Sequence, residues 1–138
     1  MLPRRIAIAG ANYASDEVLV VDVLEAPDEL SGADIVVMSA DQDEKLALEI
    51  RDRAPNAVVV VVGGSPHQVC ETTLFPRARI VGVEDDAQVA AIVDSIVYDR
   101  GAQFETVVRC MGERGIEDSF ERVPVRIGAR GVIEIVEE

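Results

Sequence analysis

The residues with chemical potential sit where short apolar runs end. Gly10 follows Ile6 to Ala9, Asp22 follows Val18 to Val21, Ser39 follows Ile35 to Met38, and Gly63-Gly64 follow Val58 to Val62. If the runs are parallel strands, their carboxyl ends bound the crevice where open α/β sheets hold ligands, so Gly10, Ser39 and Gly63-Gly64 are candidates to hold a small nucleotide. His67 is the only histidine and lies near the start of a predicted short helix with no carboxylate partner close in sequence, which reads as a helix-terminal surface residue. Asp41, Asp43 and Glu84-Asp85-Asp86 have the composition of a divalent-cation site, but helix capping and a solvated face account for them. Cys70 and Cys110 are too few for a disulfide framework and not spaced as zinc ligands, so they read as reduced core thiols. The chain carries no G-x-S-x-G, Walker loop, HExxH or paired CxxC. No metal site is expected.

Positioning these residues requires strands buried on both faces. The runs at Ile6–Ala9, Val18–Val21, Ile35–Met38 and Val58–Val62 are continuous and rich in β-branched residues, the pattern of a parallel sheet between helices. Gln42 to Ala54 reads as a helix with Leu46, Ala47, Ile50 and Ala54 on one face and Asp41 with Glu44 as a capping box. Ser65-Pro66 predicts a short helix to about Leu74. Val89, Ile92, Val93, Ile96 and Val97 keep i, i+3, i+4, i+7, i+8 spacing and predict a third helix. Alternation in Phe104–Cys110, Phe120–Ile127 and Val132–Val136, with Gly128-Ala129-Arg130-Gly131 as a turn, predicts an antiparallel β-meander. Only Gly10 to Asp16 separate the first two strands, about seven residues, where a parallel crossover takes about a dozen or more. These strands are therefore expected to form an antiparallel hairpin or not to be neighbours.

Composition narrows the function classes. A chain of 138 residues fits one domain. Net charge is −13, and Lys45 is the only lysine among thirteen basic residues. Such a field repels phosphate backbones, so nucleic-acid binding is not expected. Acid-rich, lysine-poor surfaces suit a cytoplasm with molar salt, though a GC-rich genome gives the same arginine bias. No run approaches eighteen apolar residues, and the run after Met1–Arg5 stops at Gly10, so a buried strand is expected there rather than a signal peptide or membrane span. A cytoplasmic location is expected.

Several stretches resemble the malate/lactate dehydrogenase family. Arg5-Ile6-Ala7-Ile8-Ala9-Gly10-Ala11 resembles its first strand and glycine loop, and Asp16 to Val23 its second strand with the terminal acidic residue. Ala33-Asp34-Ile35-Val36-Val37-Met38-Ser39-Ala40 is similar to its A-D-I-V-V-I-T-A strand, and Ala54-Pro55-Asn56-Ala57-Val58-Val59 to the strand after it. Gly112 to Asp118, Val123-Pro124-Val125 and Gly131 to Val136 are similar to malate dehydrogenases of halophilic archaea, which favours a salt-loving source.

The resemblance implies a shortened Rossmann-like parallel sheet over residues 1–83, joined within one domain to a helix and an antiparallel β-meander over 84–138. It places Asp22 where the family's acidic residue accepts the adenosine ribose hydroxyls of NAD. Gly10, Asp22, Ser39 and Gly64 are the positions through which a cofactor would be held. The chemistry departs from the family. Gly10-Ala11-Asn12-Tyr13-Ala14-Ser15 keeps only the first glycine of the phosphate turn, and Gly64-Ser65-Pro66-His67-Gln68 replaces T-N-P-x-D. Ser39-Ala40-Asp41-Gln42-Asp43 leads straight into a helix where the family has its mobile arginine loop, and Arg114 stands where an alternative alignment puts the histidine base. No catalytic residue carries over. The expected function is a non-catalytic, dehydrogenase-derived binding or assembly module without cofactor, working as a homo-oligomer or with a companion protein. The alternative is an NAD-dependent malate or lactate dehydrogenase.

Overall fold

A computed structural model describes residues 5–15, 18–42, 44–64 and 66–137. Strands β1 (Arg5–Ala9), β2 (Leu19–Asp22), β3 (Ile35–Ser39), β4 (Val58–Val62) and β5 (Ile80–Val83) are followed by β6 (Ala102–Cys110), β7 (Ser119–Gly128) and β8 (Gly131–Ile135). They form one sheet in the order β2-β1-β3-β4-β5-β6-β7-β8. The five short strands are parallel, and β6, β7 and β8 continue the sheet antiparallel. Helices α1 (Glu44–Arg53), α2 (His67–Thr73) and α3 (Val89–Val97) cover it.

Successive strand residues alternate between two cores, as the period-2 pleat requires. Ile6, Ile35, Val37, Val58, Val60, Val81 and Val83 pack against α3 and the inner faces of β6 and β7. Ala7, Ala9, Val36, Met38, Val59, Val61 and Ile80 pack against Leu30, Ile50 of α1, Val69 and Cys70 of α2, and Phe75. This two-sided burial explains why the runs read as continuous. In α3 the residues Val89, Ile92, Val93, Ile96 and Val97 are all buried, each worth roughly 1.5–3 kcal/mol of apolar transfer.

One sequence expectation is overturned. β1 and β2 are parallel neighbours, with Arg5 opposite Leu19 and Ile8 opposite Asp22. Among its described residues the crossover contains no helix. Four residues of strand rise need a return of only about 13 Å, which nine extended residues cover easily. The connecting segment also does a helix's packing work: Ala11, Tyr13 and Val18 lie against the α3-side core. The sheet face beside β1 and β2 is therefore largely covered without a helix, although Leu19 at the β2 edge is 56% exposed.

Other differences are local. β5 was not read from the sequence, because Gly82 interrupts a run of only four residues. The glycine is required by close packing: a β-carbon there would lie 2.8 Å from the Pro66 ring. α2 starts at His67 with Pro66 flanking it and ends at Thr73; Leu74 still donates its N–H to the Cys70 carbonyl, and its φ of 60° stops the helix. Ser65, the expected cap, and Asp43 lie outside the described residues. The 128–131 turn closes the β7–β8 hairpin as expected, with Gly128 opposite Gly131. Among the described residues no helix is long and apolar enough to cross a membrane.

Candidate functional site

The chain leaves β1 toward β2 on one side and returns through β3 on the other, so the sheet's topological switch lies between β1 and β3. The register brings the expected residues to that edge. Ala9 pairs with Met38, which sets Gly10 beside Ser39, and Ser39 pairs with Val62, which sets Gly63 and Gly64 beside Ala40. The approach is tight, for a β-carbon on Gly64 would be 2.9 Å from that of Ala40. Asp22 lies level with Ile8, one strand outward. Gly10, Ser39 and Gly64 thus converge, and Asp22 stands to one side.

The local contacts show what this crevice can hold. Gly10 has φ +73°, and a β-carbon on it would lie 2.7 Å from Gln42 Nε2 and 3.3 Å from Ser39 Cβ. The end of the Gln42 side chain thus lies beside Gly10 at the strand end. Residues 12–15 that follow are irregular, so among the described residues no helix amino terminus presents N–H groups there. The Ser39 hydroxyl donates to Asp41 Oδ1 at 2.5 Å and accepts from the Asp41 amide at 3.4 Å. These residues do not fit a pyrophosphate.

Asp22 is exposed, and its Oδ1 accepts the Leu24 amide at 3.0 Å, which fixes the carboxylate beside the strand end. Immediately after it, Val23, Leu24, Pro27 and Leu30 with Leu46 of α1 line a mainly apolar groove, to which Gln42, Lys45 and Glu49 add polar groups. The groove was not foreseen, since its walls come from two segments about twenty residues apart.

Two further polar groups were missed for the same reason. His67 meets the Phe120 ring edge-on at 5.4 Å, which places it over β7, five strands from β1. Asp118, absent from its sequence neighbourhood, is near enough to feel it. The Asp118 carboxyl is held below the usual range by hydrogen bonds from Arg109 Nε and Nη2 at 2.6 and 3.0 Å, with a smaller charge contribution from His67. Beyond β5, Glu84, Glu105 and Arg122 line a cleft with Thr106, whose buried hydroxyl has no hydrogen-bond partner. Arg122 is bracketed by Glu84 at 2.9 Å and Glu105 at 3.7 Å. Asp85 acts as the expected cap and accepts the Ala87 amide at 2.9 Å. Among the described residues no three histidine, cysteine or acidic side chains are grouped to hold a metal. Cys70 and Cys110 are free and buried, and burial raises both thiol pKa values. Arg114, the residue at the alternative histidine position, donates to the Val136 carbonyl.

No protein-family model matches the chain. In sequence it is 47% identical over 49 residues to the malate dehydrogenase of Haloarcula marismortui, a stretch that covers 36% of this chain and 16% of that enzyme. It is 45% identical over 51 residues to the malate dehydrogenase of Caldivirga maquilingensis, again 16% of the relative. In structure it is similar to the lactate dehydrogenase of Cryptosporidium parvum complexed with lactic acid and nicotinamide adenine dinucleotide, with TM-score 0.81, 11% identity and coverage of 100% of this chain and 91% of that one. The malate dehydrogenase of Aeropyrum pernix gives TM-score 0.75 at 16% identity, covering 89% and 73%. At these identities the structural likeness concerns the fold. The chain resembles malate and lactate dehydrogenases in a short stretch of sequence and in its Rossmann-like architecture.

Proposed function

We propose that the chain is a dehydrogenase-derived binding or assembly module that does not transfer hydride. The observation that supports this reading most is the stretch after Gly10, where described residues 11–15 form no helix to present N–H groups to a pyrophosphate, with the end of the Gln42 side chain lying beside Gly10. The position of the sole histidine supports it too, because a general base must reach the proton that it takes and His67 faces Phe120. On this reading the protein is cytoplasmic, comes from a salt-rich cell, needs no cofactor, and acts as a homo-oligomer or with a companion protein. The β2 edge supports association: Leu19 at its start is 56% exposed and Val20 and Val21 follow it, so the only charge on this edge strand is Asp22 at its end. Light scattering at molar KCl tests association, and a 14.9 kDa species would contradict it. Spectrophotometric assay of NADH with oxaloacetate or pyruvate at molar KCl tests the catalytic part. No oxidation above the blank is expected, and turnover proportional to protein would contradict the reading.

The second reading is an NAD-dependent malate or lactate dehydrogenase. It is favoured by the two malate dehydrogenase relatives and by Asp22 at the end of β2, level with Ile8. It predicts NADH binding that Asp22→Ala abolishes.

A further inference from the structure

The chain has 26 acidic residues against 13 basic ones, so an arginine has every opportunity to find a carboxylate. Eight arginines, from Arg5 in β1 to Arg126 in β7, form such ion pairs. Arg79 and Arg130 form none among the described residues, and they line one cleft together, with Asn56 and Ala129. Two cations left side by side without counter-charge, in a molecule of net charge −13, mark a place where negative charge is supplied from outside.

The fold builds this pairing. Arg79 Nη1 donates to the Pro55 carbonyl at 2.7 Å and the Ala57 carbonyl at 3.1 Å, and its guanidinium carbon lies 4.2 Å from the centre of the Phe75 ring. These contacts occupy Nη1 and one flat face, while among the described residues no partner engages Nε or Nη2. Burial without a compensating acid lowers the pKa of Arg79. Arg130 is brought alongside by the β7–β8 turn. Gly131 lies so close to the turn that leads into β5 that a β-carbon on it would be 2.1 Å from the Ala78 carbonyl oxygen. The Ala129 amide donates to Asp99 Oδ1 at 2.9 Å, which holds the other flank of the turn. The Asp99 carboxylate forms an ion pair with neither arginine. The site lies at the amino-terminal end of the sheet, since Asn56 precedes β4 and Arg79 precedes β5.

We infer that Arg79, Arg130 and Asn56 form an oxyanion-binding site, which takes phosphate either free or as a small phosphomonoester. A guanidinium fork matches a phosphate edge with two parallel hydrogen bonds, and Asn56 adds an amide donor. The site is independent of the crevice at Gly10 and of any cofactor.

The test is a titration of the 15N-labelled full chain with inorganic phosphate at constant pH and ionic strength, with chloride as the balancing anion. Saturable shifts of the Asn56, Arg79 and Ala129 amides are expected. Arg130→Gln should weaken them at least about tenfold, the usual effect of losing a hydrogen bond to a charged group. Arg130 is exposed, so this variant keeps the fold, as its unchanged remaining spectrum will verify. A parallel titration with glycerol phosphate separates the two sources: binding as tight as phosphate or tighter assigns the site to esters, and weaker binding assigns it to the free anion. Shifts no larger than chloride alone produces, or shifts unchanged in Arg130→Gln, would overturn the inference.

Discussion

Gln42 Nε2 lies 2.7 Å from the point that a β-carbon on Gly10 would occupy. Two penalties therefore attach to Gly10→Ala, one from the contact and one from φ +73°. The end of a glutamine side chain moves cheaply, so the backbone should dominate, at about 1–2 kcal/mol. Urea denaturation should show the same loss for Gly10→Ala in the native and Gln42→Ala backgrounds. A loss that vanishes in the Gln42→Ala background would assign it to the contact instead.

Gly131 and Gly112 separate strain from collision. Both have positive φ, +99° and +110°, but a β-carbon on Gly112 meets nothing within 4 Å while one on Gly131 would penetrate the Ala78 carbonyl. Gly112→Ala should cost about 1–2 kcal/mol, and Gly131→Ala clearly more, because backbone must shift. Thermal and urea unfolding of the two variants would compare them directly.

These glycines also mark where the sequence stops being informative. α3 was legible because its five core residues repeat at helical spacing, and β7–β8 because alternation brackets a glycine-rich turn. The parallel pairing of β1 and β2 was not, since the rule for crossover length assumes a helix and an extended connection needs fewer residues. The positions of Gly10, Ser39 and Gly64 followed from strand ends alone. Their relation to Gln42, like that of His67 to Asp118 or Arg79 to Arg130, depends on strand register and on how β8 meets the turn before β5, which no local pattern encodes.

Acid should weaken the link between that turn and the β6–β7 connection. Arg77 Nη1 and Nη2 donate to the two Glu113 carboxylate oxygens at 2.9 and 2.7 Å, and the Met111 amide adds a third bond at 2.7 Å. Chiefly through Arg77, Glu113 titrates at about 2. A carboxylate whose pKa is depressed by folding stabilises fully above its unfolded value and loses that contribution as pH falls through its folded value. The stability of the native protein should fall between about pH 4.5 and pH 2, and Glu113→Gln should flatten part of that decline. Urea midpoints measured across this range would test it, and an identical profile for the variant would contradict it.

Cys70 and Cys110 are 4% and 0% exposed, and burial raises both pKa values. A thiol reacts as thiolate, so labelling by iodoacetamide at pH 8 should be slow in the folded protein and complete at two thiols per chain in denaturant. Rapid labelling of either cysteine in the native state would show that its surroundings open.

The most direct test of the account is calorimetric titration of the full chain with NADH at molar KCl, alongside Asp22→Ala. With Gln42 beside Gly10 and no helix amino terminus behind it among the described residues, no saturable heat is expected from either protein. Saturable binding that Asp22→Ala abolishes would contradict the account and show that the dehydrogenase cofactor site survives.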